Sequence, residues 1–166
     1  MLACAEGLCL DNNPITDRAA QALADCPHLA CLTALGLAGA RVGDTGINAL
    51  MGSPFLRSLR SLAAGNRVTN KGAAALAEAP SLAALRKLWL SGNWKIGPAG
   101  AEALASSEHL ANLEDLSLEH TSIGTKGALA LARSACLSSL YSLAVYGEDQ
   151  RPDRKVIAAM QKRFDG

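Results

Sequence analysis

One pattern returns six times along this chain. It reads L-x-L-x-x-N-x-I-G-x-x-G-A-x-A-L-A, then L-x-x-L, and its copies start at Leu8, Leu35, Leu62, Leu88, Leu116 and Leu143. The starts are 27, 27, 26, 28 and 27 residues apart. A unit this short cannot bury its own apolar side, so it must stack on its neighbours into a continuous core. That requirement limits the chain to a quasi-linear array. The two length changes, one residue lost before Asn66 and one gained in "NWKI", fall between the strand-like and helix-like parts, where connections tolerate them.

Within each unit the apolar period changes. L-x-L has period two and predicts a short strand. The Asn at 13, 66 and 93 is placed to bond backbone groups in the turn leaving that strand. Ile or Val at 15, 42, 68, 96 and 123 then enters the core. Residues 47, 50 and 51, 73, 76 and 77, and 101, 104 and 105 share helix faces. Strands are expected near 8–10, 35–37, 62–64, 88–90, 116–118 and 143–145, and helices over about 17–26, 44–52, 70–79, 98–106, 125–134 and 153–164. Helices are about 10 Å across and neighbouring strands under 5 Å apart, so stacking like on like must curve the array with its strands inside. Gly46, Gly72, Gly100 and Gly127 recur at one helix position. A helical Gly costs about 1 kcal/mol against Ala, so its repetition predicts close backbone approach there.

Composition fits this frame. The chain has 166 residues, 49% of them apolar and only 4% aromatic, so the core is built from leucine and alanine. A net charge of +1 with mixed signs gives no basic stripe of the kind nucleic acid requires. No apolar run approaches the roughly 20 residues of a membrane helix. The five cysteines, Cys4, Cys9, Cys26, Cys31 and Cys136, contain no CxxC and read as small residues of a reduced, cytoplasmic protein. "LAC" at 2–4 lacks the charged and apolar regions of a leader, and "HLACL" at 28–32 repeats it, so it reads as repeat text.

The register and the "GALALA" at 127–132 resemble the leucine-rich repeat, specifically the ribonuclease-inhibitor-like class and its alanine-rich, GALA-like bacterial subtype. The resemblance runs from about Leu2 to Phe164. It implies one α/β solenoid over 1–166: the end of a partial unit at 1–7, five full units at 8–142 and a C-terminal cap at 143–166. It also implies a right-handed arc with strands on the concave face and helices on the convex one. Ala40, Thr121 and Glu148 stand at the Asn position, and Ala64 replaces the second strand leucine. Related effectors use such repeats to recruit targets for ubiquitination, but no F-box is visible here. In the cap, Val156, Ile157, Met160 and Phe164 are expected inside, with Arg154, Lys155, Gln161, Lys162 and Arg163 covering the outer face. Gln150 takes the place of the usual Ile.

H-E-x-x-H, G-x-S-x-G, the P-loop and C-x-x-C are all absent from the sequence. His28 and His109 share a helix-end position, and the carboxylates of "LEDL" at 113–116 read as a solvated turn. The expectation is a non-catalytic protein-binding module or scaffold, part of a larger bacterial protein. It needs no cofactor or metal and contacts neither nucleic acid nor membrane. The alternatives are the target-recognition part of an effector and an enzyme with an unrecognised site. The expected partner surface gathers Trp89, Ser91, Trp94, Glu119, His120 and Tyr146, because both tryptophans of an aromatic-poor chain fall in one unit. The strand at 8–10 would be a bare edge suited to self-association.

Overall fold

The computed structural model describes residues 5–146 and 153–164. Strands and helices alternate along it: β1 (Gly7–Cys9), α1 (Asp17–Ala24), β2 (Ala34–Gly36), α2 (Asp44–Met51), β3 (Ser61–Ala63), α3 (Asn70–Ala77), β4 (Lys87–Trp89), α4 (Pro98–Ala105), β5 (Asp115–Ser117), α5 (Gly124–Ala132), β6 (Ser142–Ala144) and α6 (Arg154–Phe164). The strands form one parallel sheet in the order β1 to β6. Leu8, Leu35, Leu62, Leu88, Leu116 and Leu143 stand side by side in register. Each helix packs on the next in the same order. The architecture is the α/β solenoid that the spacing predicts.

Every strand begins one residue earlier than L-x-L suggests. The cause is a shared carbonyl. Arg86 O, for example, accepts both Glu114 N at 2.8 Å and Asp115 N at 3.0 Å, and Arg60 O accepts Arg86 N and Lys87 N in the same way. These forked bonds draw the residue before the first leucine into the ladder. The second leucine still donates across, as Leu90 N does to Ser117 O at 2.8 Å, before the chain turns away.

The core lies between sheet and helices. Leu35, Leu62, Leu88 and Leu116 line it from the sheet, Leu50, Leu76, Leu104 and Leu131 from the helices, and Leu59, Leu85 and Leu113 from the returning loops, all buried. Each such side chain contributes about 1.5–3 kcal/mol on burial. Leu8, Leu10 and Ile15 are only partly covered, as expected where no described unit lies outside them. Met1–Cys4 and the Gln150 position fall outside the described residues.

The recurrent helix glycines have a structural reason that the sequence only hinted at. Asp17 Oδ1 accepts the backbone N–H of Gly43 at 2.7 Å and of Gly46 at 3.1 Å. Asp44 Oδ1 accepts from Thr69 N at 2.8 Å and Gly72 N at 3.0 Å, and Asn70 Oδ1 from Gly97 N at 2.7 Å and Gly100 N at 3.0 Å. The first residue of one helix therefore caps the N-terminus of the next, satisfying amides the helix cannot. A Cβ at Gly46, Gly72 or Gly100 would stand 2.7, 2.5 or 2.8 Å from the capping oxygen, so glycine makes room for the cap. At Gly127 the neighbour is Ala101 Cβ, 2.8 Å from such a Cβ, and Pro98 replaces the capping residue.

Asp44 also accepts the Thr69 hydroxyl at 2.6 Å. Asp44→Ala is expected to lower stability by about 2 kcal/mol, the upper range for loss of a helix cap. Asp25→Ala, at an exposed side chain bonded to Gln21 on the helix surface, should stay within about 0.5 kcal/mol. Chemical denaturation of both variants measures the difference.

Two expectations for the last unit need correction. Ile157 does not face inward; it is among the exposed large apolar residues, while Val156 is fully buried and Met160 packs on the core. Arg163 does not cover the outer face. Its guanidinium donates to the carbonyls of Ser134 at 2.7 Å, Ala132 at 3.4 Å and Leu137, where a cation complements the end of α5. Burial pushes its pKa down from the usual arginine value. The cysteines also divide: Cys9, Cys26 and Cys136 are free thiols, whereas Cys31 is disulfide-bonded, contrary to the reading of all five as reduced.

Candidate interaction surface

The early strand start adds a column to the outward face. Outward positions in β4 to β6 are Lys87, Trp89, Asp115, Ser117, Ser142 and Ala144. Asp115 is therefore no solvated turn residue, as "LEDL" suggested. It is half-buried in β5, and its carboxylate accepts Trp89 Nε1 at 3.1 Å and Ser142 Oγ at 2.8 Å. One carboxylate thus ties three adjacent strands together and fixes the indole, which remains 39% exposed. Glu114, next to it, forms an ion pair with Arg86. Beyond the tryptophan, the hydroxyls of Ser91 and Ser117 share a hydrogen bond of 2.7 Å.

The other half of the face is small. Gly7, Cys9, Ala34, Gly36, Ser61 and Ala63 occupy the matching positions of β1 to β3. Large relief on the described strand positions is concentrated around Trp89, while the first units offer the Asp11 carboxylate, which accepts Ala38 N at 2.7 Å.

The expected site residues do not form one patch. Trp89 and Ser91 share the strand side of their unit, next to Ser117 and the half-buried Glu119, whose carbonyl accepts Gly92 N at 2.9 Å. Tyr146 is half-buried and packs on the core. Its hydroxyl is buried close to Asp153, and burial pushes the phenol above its usual pKa. Tyr146 is thus largely a packing residue. His120 is exposed with φ 54°. It holds the turn position that Asn12, Gly39 and Gly92 occupy in other units, also at positive φ, so backbone conformation sets its place. Trp94 is 64% exposed and lines a separate groove among turn residues: Gly39, Arg41, Asn66, Arg67, Gly92 and Lys95. Sequence reasoning missed Asp115, and the forked strand start explains why. It missed the meeting of Arg41, Arg67 and Lys95 because the residue lost before Asn66 and the one gained in "NWKI" put the three at different distances from their strand leucines.

Among the described residues no three His, Cys, Asp or Glu side chains gather as a metal site, and no helix is long and apolar enough to cross a membrane. A family model described as Leucine Rich repeat matches residues 83–105 and 109–132. These two units are similar to leucine-rich repeats. They contain β4 with α4 and β5 with α5, the part of the solenoid that carries Trp89, Asp115 and Ser117. The other leucine-rich units share their strand register and helix placement. Leucine-rich repeats generally mediate contacts between proteins. No curated protein matches the chain.

Proposed function

We propose that this leucine-rich-repeat chain is a non-catalytic module that binds a protein partner on its strand face, with Trp89 as the anchor. The observation that carries this reading is the held indole: Asp115 fixes Trp89 from one side while 39% of the residue stays open. A pre-oriented tryptophan loses little freedom on binding, and tryptophan dominates interface hot spots. Ser91, Ser117, Glu119 and Lys87 supply a polar rim around it. Buried Ala73, Ala101 and Ala128 in the helices support the alanine-rich, ribonuclease-inhibitor-like class.

The test compares proteins retained from a lysate by wild type, Trp89→Ala and Lys126→Ala. Lys126 sits on α5, paired with Glu102. A partner held by wild type and Lys126→Ala should weaken on Trp89→Ala by about 2 kcal/mol, roughly thirtyfold. The same substitution should lower stability by only about 1 kcal/mol, because it removes one exposed hydrogen bond and partial burial. Equal retention by all three proteins would remove Trp89 from the interface.

A further inference from the structure

The two length changes in the repeat array meet at one place. The turn of the third unit is one residue short, Gly65–Asn66–Arg67, and the turn of the fourth is one residue long, Gly92–Asn93–Trp94–Lys95. Asn93 locks the long turn onto the short one: its Oδ1 accepts Val68 N at 2.8 Å and its Nδ2 donates to Leu90 O at 2.8 Å, with no exposure at all. The step between them leaves an open groove of about 660 Å³ on the turn rim. Gly92, at φ 80°, has nothing within 4 Å of where a Cβ would point, which keeps that wall low.

Three cations line this groove, Arg41, Arg67 and Lys95, and no carboxylate does. All three are exposed. Neither ion pair found among the described residues includes any of them. Trp94 stands at the edge with Lys95 Nζ 5.0 Å from its ring centroid, leaving most of the indole uncovered.

We propose that this rim groove binds an extended acidic segment of a protein partner, with carboxylates on Arg41 and Arg67 and an apolar side chain against Trp94. It shares with the strand-face reading only the premise of a protein partner. Charge complementarity selects the occupant: three exposed cations around a slot, none in an ion pair among the described residues, favour an anion, and Arg offers carboxylates a two-pronged fit. Carboxylates two residues apart on an extended chain stand about 7 Å apart, within reach of arginines on neighbouring turns. Nucleic acid is disfavoured, because its binding draws on cations tracking many phosphates, and this chain has a net charge of only +1.

The experiment pans a random dodecapeptide phage library on the full chain. The recovered peptides are then measured by fluorescence anisotropy, beside the oligonucleotide dT12. Expected are peptides rich in Asp and Glu that bind more tightly than dT12. They should weaken at least about tenfold on Arg41→Gln/Arg67→Gln and on Trp94→Ala, weaken with added salt, and be indifferent to Trp89→Ala. Arg41→Lys/Arg67→Lys should bind better than the glutamine pair but below wild type, since it keeps the charge and loses the two-pronged fit, which separates charge from folding. An empty selection, peptides without acidic character, indifference to the arginines, or tighter binding of dT12 would each overturn the proposal. Peptides that depend on Trp89 and not on Arg67 would leave the strand-face reading standing and remove this one.

Discussion

Truncation after Gly147 is expected to lower the melting temperature by roughly 15 °C and to broaden the transition, with aggregation on heating. Removing α6 strips buried Val156, the core-packed Met160 and the half-buried Phe164 from the last unit. It also removes the guanidinium that holds the carbonyls of Ala132, Ser134 and Leu137. Side-chain burial alone accounts for about 4–6 kcal/mol, and in a chain of this size each kcal/mol moves the midpoint by about 2–4 °C. The newly open flank would expose the core side of α5, and an uncovered end is where repeat arrays lose solubility. Arg163→Ala separates the two contributions and should cost about 1–3 kcal/mol. Calorimetry of the truncated chain decides: a single sharp transition within a few degrees of wild type would show that α6 does not close the core.

Asn93→Ala is expected to cost about 3 kcal/mol, more than any exposed polar substitution in this chain. Asn93 is wholly buried and answers two backbone groups, Val68 N and Leu90 O. Alanine leaves Val68 N without a partner in a site closed to water, an orphan costing about 1–3 kcal/mol, and leaves Leu90 O only the longer bond from the backbone N–H of residue 93 at 3.4 Å, losing a further hydrogen bond worth about 0.5–1.5 kcal/mol. Asn66→Ala should change stability by less than about 0.5 kcal/mol, because Asn66 is exposed. Thr121 shows what half of the device looks like: its hydroxyl donates to Leu118 O at 2.6 Å but offers nothing across the repeat. Asn93→Thr should accordingly fall between wild type and Asn93→Ala. Urea denaturation of the variants tests this order, and equal losses at 66 and 93 would contradict it.

Those two asparagines show how far the sequence could be read. Both occupy the same place in the repeat, and periodicity treats them alike. Only the short third turn, which puts Asn66 in solvent, separates them. Leucine columns were legible because burial on one face imposes a period. Helix bounds were legible to within two residues, because Gly or Pro marks the starts of α2, α4 and α5 and Thr those of α1 and α3. The strand start was not, since a forked hydrogen bond at Arg86 or Glu114 leaves no trace in side-chain polarity. Asp115 was misplaced for that reason, and with it the clamp on Trp89. Trp94 sits five residues from Trp89 in sequence, yet lines a groove among turns. Arg163 looked like solvent cover because its charge argues for the surface, whereas the carbonyls ending α5 recruit it inward.

The relay of caps gives the array a direction. α2 depends on Asp17 of α1, α3 on Asp44 of α2, and α4 on Asn70 of α3. A helix that frays withdraws an N-terminal cap from its successor; the bonds toward its predecessor go to C-terminal carbonyls instead, as from Ser53 to Ala24 O, Ser107 to Ala77 O, Ser134 to Ala105 O and Arg163 to Ala132 O. Pro98 carries no acceptor, so α5 inherits nothing and begins instead from Gly124 at φ 57°. Loss of the amide caps started at α1 should therefore run downstream and halt at α4. The Gly46, Gly72 and Gly100 amides should lose protection in that sequence when Asp17 is replaced by Ala, and the Gly127 amide, bonded to Ile123 O within its own turn, should not notice.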